Sequence, residues 1–165
     1  MDSSVSIKPV YNNFSGEVIK LILPIQQIEF NIPVTLQDQP DLLDIDSSYH
    51  KDSGGFWGAF KEGEIVGTIG LINIGHCSGA IRKMFVKKDF RGKDTGIAQR
   101  LLETLVAYSS EKNISDLYLG TVPVLKVAMR FYERNGFNQI GIEMLPGYFP
   151  RMKADTVFYH LKIEG

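Results

Sequence analysis

The residues best suited to bind an anion fall in one run, Phe90-Arg91-Gly92-Lys93-Asp94-Thr95-Gly96-Ile97-Ala98. A strand is predicted before it, Ala80 to Val86, and a helix after it, Gly96 to Lys112. The run is then a Gly-rich basic loop feeding a helix N-terminus. The first turn of a helix has backbone N–H groups without intrahelical acceptors and carries the positive end of the helix dipole, which is what a phosphate needs. Arg91 and Lys93 add counter-charge. No Gly-Lys-Ser/Thr follows, so this is not a Walker A loop, and the Gly-x-Gly-x-x-Gly of dinucleotide folds is missing. On the residues alone, a phosphate cradle and a plain strand-to-helix turn both stand open.

A second run, Ala128-Met129-Arg130-Phe131-Tyr132-Glu133-Arg134-Asn135-Gly136-Phe137, follows about 35 residues later. By itself it is an amphipathic helix stopped by Asn135-Gly136, with Tyr132 on the apolar face beside Leu125, Ala128 and Met129. That makes Tyr132 a core residue before anything else. His50, His76 and His160 are isolated and show no metal-ligand spacing, so no metal site is expected. The single cysteine, Cys77, rules out an intrachain disulfide and sits in a predicted loop beside Gly75 and Gly79.

Charge is unevenly spread. Residues 36–52 hold Asp38, Asp41, Asp44, Asp46 and Asp52 against Lys51, a net −4, while residues 81–100 hold seven Lys/Arg against Asp89 and Asp94, a net +5. A fold that brings both to one cleft would suit an anion at one end and a cation at the other; solvated faces without a partner are the alternative.

The elements that must position these residues alternate between helix and strand. A strand is expected at Ser6 to Val10, then a helix from Ser15 through Ile25 with a kink or break at Pro24. Pro33 and Pro40 frame a loop, and Asp41 to Tyr49 reads as a short acidic helix. From Gly55 the pattern turns to β: Phe56 to Phe60 and Ile65 to Ile72, separated by Lys61-Glu62-Gly63-Glu64, form a predicted hairpin. The helix from Gly96 carries Ile97, Leu101, Leu105 and Tyr108 as its apolar stripe. Asp116 to Gly120 is a strand, Thr121 is predicted to cap the next helix with Pro123 in its first turn, and strands close the chain at Phe137 to Ile142 and Thr156 to Ile163. Antiparallel pairs at both ends around an alternating middle argue for an α+β fold with a mixed sheet of six to seven strands flanked by helices.

The chain has 165 residues, 44% hydrophobic and 22% charged, which fits one soluble domain over 1–165 with no internal repeat or linker. At this length folding buries roughly 70% of the unfolded surface, enough for a core without a disulfide or metal. A formal charge of −1 gives no electrostatic case for nucleic acid or an anionic membrane. Neither a basic N-terminal leader nor a membrane span is read in the sequence, and with a single cysteine the expected compartment is the cytoplasm.

Together and in this order, the two runs resemble the GNAT superfamily of acetyl-CoA-dependent N-acetyltransferases, over about Phe56 to Phe137. In that family a strand ending in Val is followed by Arg/Gln-x-x-Gly-x-Gly/Ala and a helix. Here Met84-Phe85-Val86 matches the strand end, Arg91-Gly92-Lys93 the loop entry and Gly96-Ile97-Ala98 the helix start, with Asp94 and Thr95 as two extra residues between. The resemblance implies a GNAT-like acyl-CoA N-acyltransferase fold. It assigns acetyl-CoA to Met84, Phe85, Val86 and the segment Arg91, Gly92, Lys93, Asp94, Thr95, Gly96, Ile97 and Ala98, with no metal. Phe131-Tyr132-Glu133-Arg134-Asn135-Gly136-Phe137 matches Phe-Tyr-Glu-x-x-Gly-Phe, where the tyrosine commonly sits by the cofactor sulfur. A phenol with pKa about 10 is neutral at pH 7, so the resemblance makes Tyr132 the general acid for the leaving thiolate. Some relatives carry a Glu base in the fifth strand and an Asn in the next helix; Gly120 and Leu125 stand there here. The resemblance therefore locates no base: either a carboxylate elsewhere, with Glu143 and the Asp41 to Asp46 window as candidates, or a water chain removes the proton.

The reaction implied is direct acetyl transfer to an amine acceptor, expected to be a small molecule. A small cationic amine held by the acidic window and the Pro/aromatic connection from Glu143 to Met152 is the expected acceptor, with Trp57, Glu143 and Tyr148 as its contacts. Non-catalytic acyl-CoA binding on the same fold, or generic phosphate binding by the loop alone, are the rivals.

Overall fold

The structure is a computed structural model describing residues 4–92 and 94–163. Its seven strands are β1 Val5–Pro9, β2 Gly55–Lys61, β3 Glu64–Gly75, β4 Ser78–Val86, β5 Asp116–Thr121, β6 Asn138–Ile140 and β7 Val157–Lys162. They form one sheet in the order β1-β2-β3-β4-β5-β7-β6, with β4 and β5 parallel and every other pair antiparallel. The α-helices are α1 Ser15–Pro24, α2 Ile45–Tyr49, α3 Ile97–Glu111 and α4 Lys126–Arg134. The mixed α+β sheet expected from the sequence is the one observed.

Helices cover both faces of the sheet. On one face Ile97, Leu101 and Leu105 of α3 pack with Trp57, Ile69 and Leu117; on the other Val18, Leu21 and Ile22 of α1 and Ile45 and Tyr49 of α2 pack with Phe56 and Phe60. This explains why Gly55–Phe60 and Ile65–Leu71 are buried residue after residue instead of alternating. The first three members of the α3 stripe, Ile97, Leu101 and Leu105, recur every four residues and are fully buried, each contributing roughly 1.5–3 kcal/mol of transfer free energy. Leu101→Ala would leave a cavity at the centre of this face, at a cost of about 2–5 kcal/mol.

Two helix ends follow the sequence signals. Gly136, at φ +89°, ends α4: its N–H bonds to the Glu133 carbonyl (3.2 Å) and the Phe137 N–H to the Tyr132 carbonyl (3.1 Å). Tyr132 is thereby fixed in the last turn of α4. Pro24 closes α1, and the chain continues through one π-helical turn, Ile25–Glu29.

Several boundaries differ from the expectation. Thr121 does not cap α4, because its backbone belongs to the β5–β7 ladder; α4 starts at Lys126, with Leu125 in the cap position. The acidic segment is not one helix but a 3-10 turn, Pro40–Leu43, followed by α2, with Asp44 accepting the Ser47 N–H at the junction. β3 and β4 run on to a tight turn at His76-Cys77, both at φ +56°, the backbone a two-residue hairpin demands. β6 shrinks to three residues, an edge strand with only β7 to pair with.

Candidate active site

β4 and β5 pair only over Ser78–Ala80 with Asp116–Tyr118. Beyond that point they part, and the wedge between Ile81–Val86 and Leu119–Thr121 opens into two neighbouring cavities. The larger, about 570 Å³, is lined by Met84, Phe85 and Val86 of β4, by Arg91, Gly92, Gly96 and Ala98 of the loop and helix start, and by Leu125, Ala128, Phe131 and Tyr132 on the α4 side. That size falls within the roughly 300–1,000 Å³ usual for ligand sites.

The loop is shaped by its own bonds. Gly92 and Gly96 adopt φ +113° and +65°, conformations that strongly favour glycine. The Thr95 hydroxyl bonds to the Phe90 (2.7 Å) and Gly92 (3.0 Å) carbonyls and staples the extra residues into a turn, with Asp94 exposed on its outside. The first intrahelical bond of α3 runs from the Arg100 N–H to the Gly96 carbonyl (3.0 Å), so the amides of Ile97, Ala98 and Gln99 have no acceptor within the helix. Arg91 braces the loop: its Nε donates to the Val86 carbonyl (2.7 Å), and its two terminal nitrogens grip both carboxylate oxygens of Glu29. The guanidinium hydrogen bond holds Glu29 below the usual carboxylate range. Lys93 lies outside the described residues, and the Ile97 side chain is buried in the core beneath α3.

The smaller cavity, about 110 Å³, shares Met84, Phe85, Leu125, Ala128 and Tyr132 with the larger one. Its own polar lining includes Arg82, Lys83, Gln26, Gln39, Thr121 and Asp155. A β-bulge supplies the two cations: the ladder steps from Thr68↔Phe85 to Gly70↔Arg82, and Lys83 takes φ +56°. Left-handed backbone costs a lysine roughly 1–2 kcal/mol, and the Thr68 hydroxyl holds it in place by bonding to the Lys83 carbonyl (2.7 Å). The Lys83 ammonium is buried, donates to Gln39 Oε1 (2.6 Å) and pairs with Asp41 at 3.6 Å; desolvation lowers its pKa, against the pull of Asp41. An Arg82 guanidinium N–H bonds to the Pro150 carbonyl, fastening the β6–β7 connection over the cavity.

Tyr132 lines both cavities. Its ring packs against Phe131, Phe137 and Tyr159 and is 6% exposed, and among the described residues its hydroxyl has no hydrogen-bond partner. Burial first, then the Asp155 charge, pushes the phenol well above its ordinary pKa, so it stays protonated.

The acceptor contacts expected from the sequence are placed elsewhere. Trp57 is buried on the α3 face of the sheet against Tyr108, with ring centroids 5.1 Å apart. Glu143 is exposed in the 3-10 turn Ile142–Met144, and Tyr148 stacks on His76 (4.1 Å) beside the β3–β4 turn, at the end of β4 away from the wedge. None of the three lines either cavity. The acidic window is tied into the fold: Asp38 accepts from Thr35, Asp44 from Asn12 and Ser47, Asp46 from the Asn12 N–H, and Asp41 from the Tyr49 hydroxyl at 2.6 Å. Sequence reasoning passed over Arg82, Lys83 and Asp155. The one local signal was two adjacent charges, Arg82-Lys83, inside an apolar strand, which can share a face only if the strand bulges.

The profile of the Acetyltransferase (GNAT) family matches residues 20–137, and the chain belongs to that family. Its fold is that of a GNAT-family acetyltransferase from Staphylococcus aureus Mu50, with a TM-score of 0.93 and 38% identity over 97% of this chain and 99% of that one. N-acetylaspartate synthetase of Danio rerio is 32% identical over 127 residues, 74% of this chain and 44% of that protein. The chain spans about half the length of the curated relatives it matches. N-acetylglutamate synthase from Neisseria gonorrhoeae, solved with coenzyme A and L-arginine, shares the fold at a TM-score of 0.74 with 16% identity, over 99% of this chain and 34% of that one.

Proposed function

We propose that the protein is an N-acetyltransferase that moves an acetyl group from acetyl-CoA directly to the amine of a small acceptor. Tyr132 carries the reading, because it lines both cavities and so borders a cofactor and an acceptor alike. The larger cleft suits acetyl-CoA: the free amides at the start of α3 meet the pyrophosphate, and the apolar walls of β4 and α4 take the pantetheine arm. The Tyr132 hydroxyl donates to the departing sulfur and recovers a proton from the acceptor nitrogen, a relay that starts from a protonated phenol. Direct transfer is favoured over a covalent enzyme intermediate, because the one cysteine, Cys77, is exposed at the β3–β4 turn and lines neither cavity.

Arg82 and Lys83 in the smaller cavity favour an acceptor that carries a carboxylate beside its amine over a simple cation such as a polyamine. The likeness to N-acetylaspartate synthetase points the same way. Tyr132→Phe keeps the ring packing and removes only the hydroxyl. Acetyl-CoA binding measured by calorimetry should persist while kcat falls about 10²- to 10³-fold. An unchanged kcat, with the chemical step shown to be rate-limiting, would return Tyr132 to the core.

A further inference from the structure

Gly120 occupies a peculiar place at the end of β5. A Cβ built there would come within 2.6 Å of Asp155 Oδ2 and 3.0 Å of its Cβ and Cγ, so the Asp155 side chain fills the space that a residue at position 120 would otherwise take. Two backbone bonds pin Asp155 there: its own N–H to the Met152 carbonyl (3.1 Å), and the next residue's N–H, that of Thr156, to the Thr121 carbonyl (3.0 Å). Among the described residues that line the two cavities, Asp155 is the only carboxylate.

We propose that Asp155 is the general base of acetyl transfer, its carboxylate delivered across the sheet from the β6–β7 connection into the space left by Gly120. The proposal rests on the acetyl-transfer reading above. Among the described residues no hydrogen bond or ion pair within 4 Å ties up its carboxylate, unlike Asp41, Asp44 and Asp46, whose oxygens are held by the fold. The charged and titratable groups around it are Arg82 and Lys83 of β4, Tyr132 of α4 and Arg151 of its own connection. The cations stabilise the carboxylate and burial opposes it; burial dominates and raises its pKa above the ordinary carboxylate value. A carboxylate whose pKa is raised toward neutrality is a stronger base than an exposed aspartate.

The protons and bonds balance. Asp155 takes one proton from the acceptor ammonium. The freed amine forms the C–N bond to the acetyl carbon as the C–S bond breaks, Tyr132 gives its proton to the sulfur, and the nitrogen's second proton restores Tyr132. The proton on Asp155 leaves to water.

Asp155→Asn preserves shape and removes the base. In thiol-release kinetics with acetyl-CoA and carboxylate-bearing amines, it should lower kcat about 10²- to 10⁴-fold with KM for acetyl-CoA unchanged. The acidic limb of kcat/KM, which in the wild type falls as pH drops through the Asp155 carboxyl, should move up to the acceptor's own ammonium. Because the folded pKa of Asp155 lies above its unfolded value, its contribution to stability is fully present below the unfolded value and is lost as pH rises through the folded one. Asp155→Asn should therefore raise Tm by a few degrees at pH 7, the opposite of losing a structural carboxylate. A carboxyl-carbon NMR titration of the wild type needs no variant and should show Asp155 titrating above about 3.9. An active wild type with a folded Asp155→Asn of equal kcat, or an Asp155 that titrates at or below the ordinary value, overturns the assignment alone. A wild type that acetylates no amine overturns the acetyl-transfer reading and this assignment with it.

Discussion

The larger cleft joins the free backbone amides at the start of α3 to apolar side chains of β4 and α4, while the smaller cavity presents polar and charged side chains drawn from α1's π-helical extension, the loop before α2, the β4 bulge and the β6–β7 connection. The backbone site depends on two glycine conformations and a helix end, and many side chains can stand around it without altering what it binds. In the side-chain cavity each charge depends on partners far along the chain: Lys83 on Gln39 and Asp41, Arg82 on Pro150, Asp155 on the gap at Gly120. On the proposed acetyl-transfer reading, cosubstrate binding rests on local geometry and acceptor choice on long-range packing. Tyr132 is where the two meet.

The contrast can be broken most severely at Gly96. Gly96→Glu forces a left-handed side-chain residue and a negative charge onto the start of α3, and should weaken acetyl-CoA binding on the order of 100-fold, about 2.7 kcal/mol, by calorimetry on protein shown by circular dichroism to be folded. Unchanged affinity would remove the loop from the cofactor site. On the other side, Arg82→Gln should raise KM for carboxylate-bearing amines about 10-fold, leave KM for a neutral-bodied amine nearly alone and hardly touch acetyl-CoA. Equal effects on both amines would deny the cavity any charge preference. The smallest effect is expected in the acidic window, where Asp44→Ala removes the α2 cap and should lower the chemical-denaturation midpoint slightly without moving the acceptor KM. A raised KM with unchanged stability would restore the window as an acceptor-binding surface.

The same contrast explains what could be read from the residues. The sheet, the α3 stripe, the Asn135-Gly136 stop and the Gly-rich loop are contiguous patterns set by local periodicity and backbone freedom, and each is found where it was expected. The acceptor side is not contiguous. Asp155 lies 35 residues beyond Gly120, and nothing near either residue signals that one fills the other's space. The Asp41 to Asp46 carboxylates looked free because their partners, Asn12, Tyr49 and Lys83, are supplied by tertiary folding. Trp57 looked like an aromatic face for an ammonium, but its strand turns it into the α3 core.

Amine-dependent turnover at the junction of the two cavities is read directly by a thiol-release assay with acetyl-CoA against a panel of amino acids, polyamines and other amines. Free coenzyme A and acetylated amine should be released in equal amounts, fastest with amines that carry a carboxylate, and Tyr132→Phe should depress the rate. Tight acetyl-CoA binding with no amine-dependent thiol release from any member of the panel would contradict the acetyl-transfer reading, and would make the chain an acyl-CoA-binding module on an acetyltransferase fold.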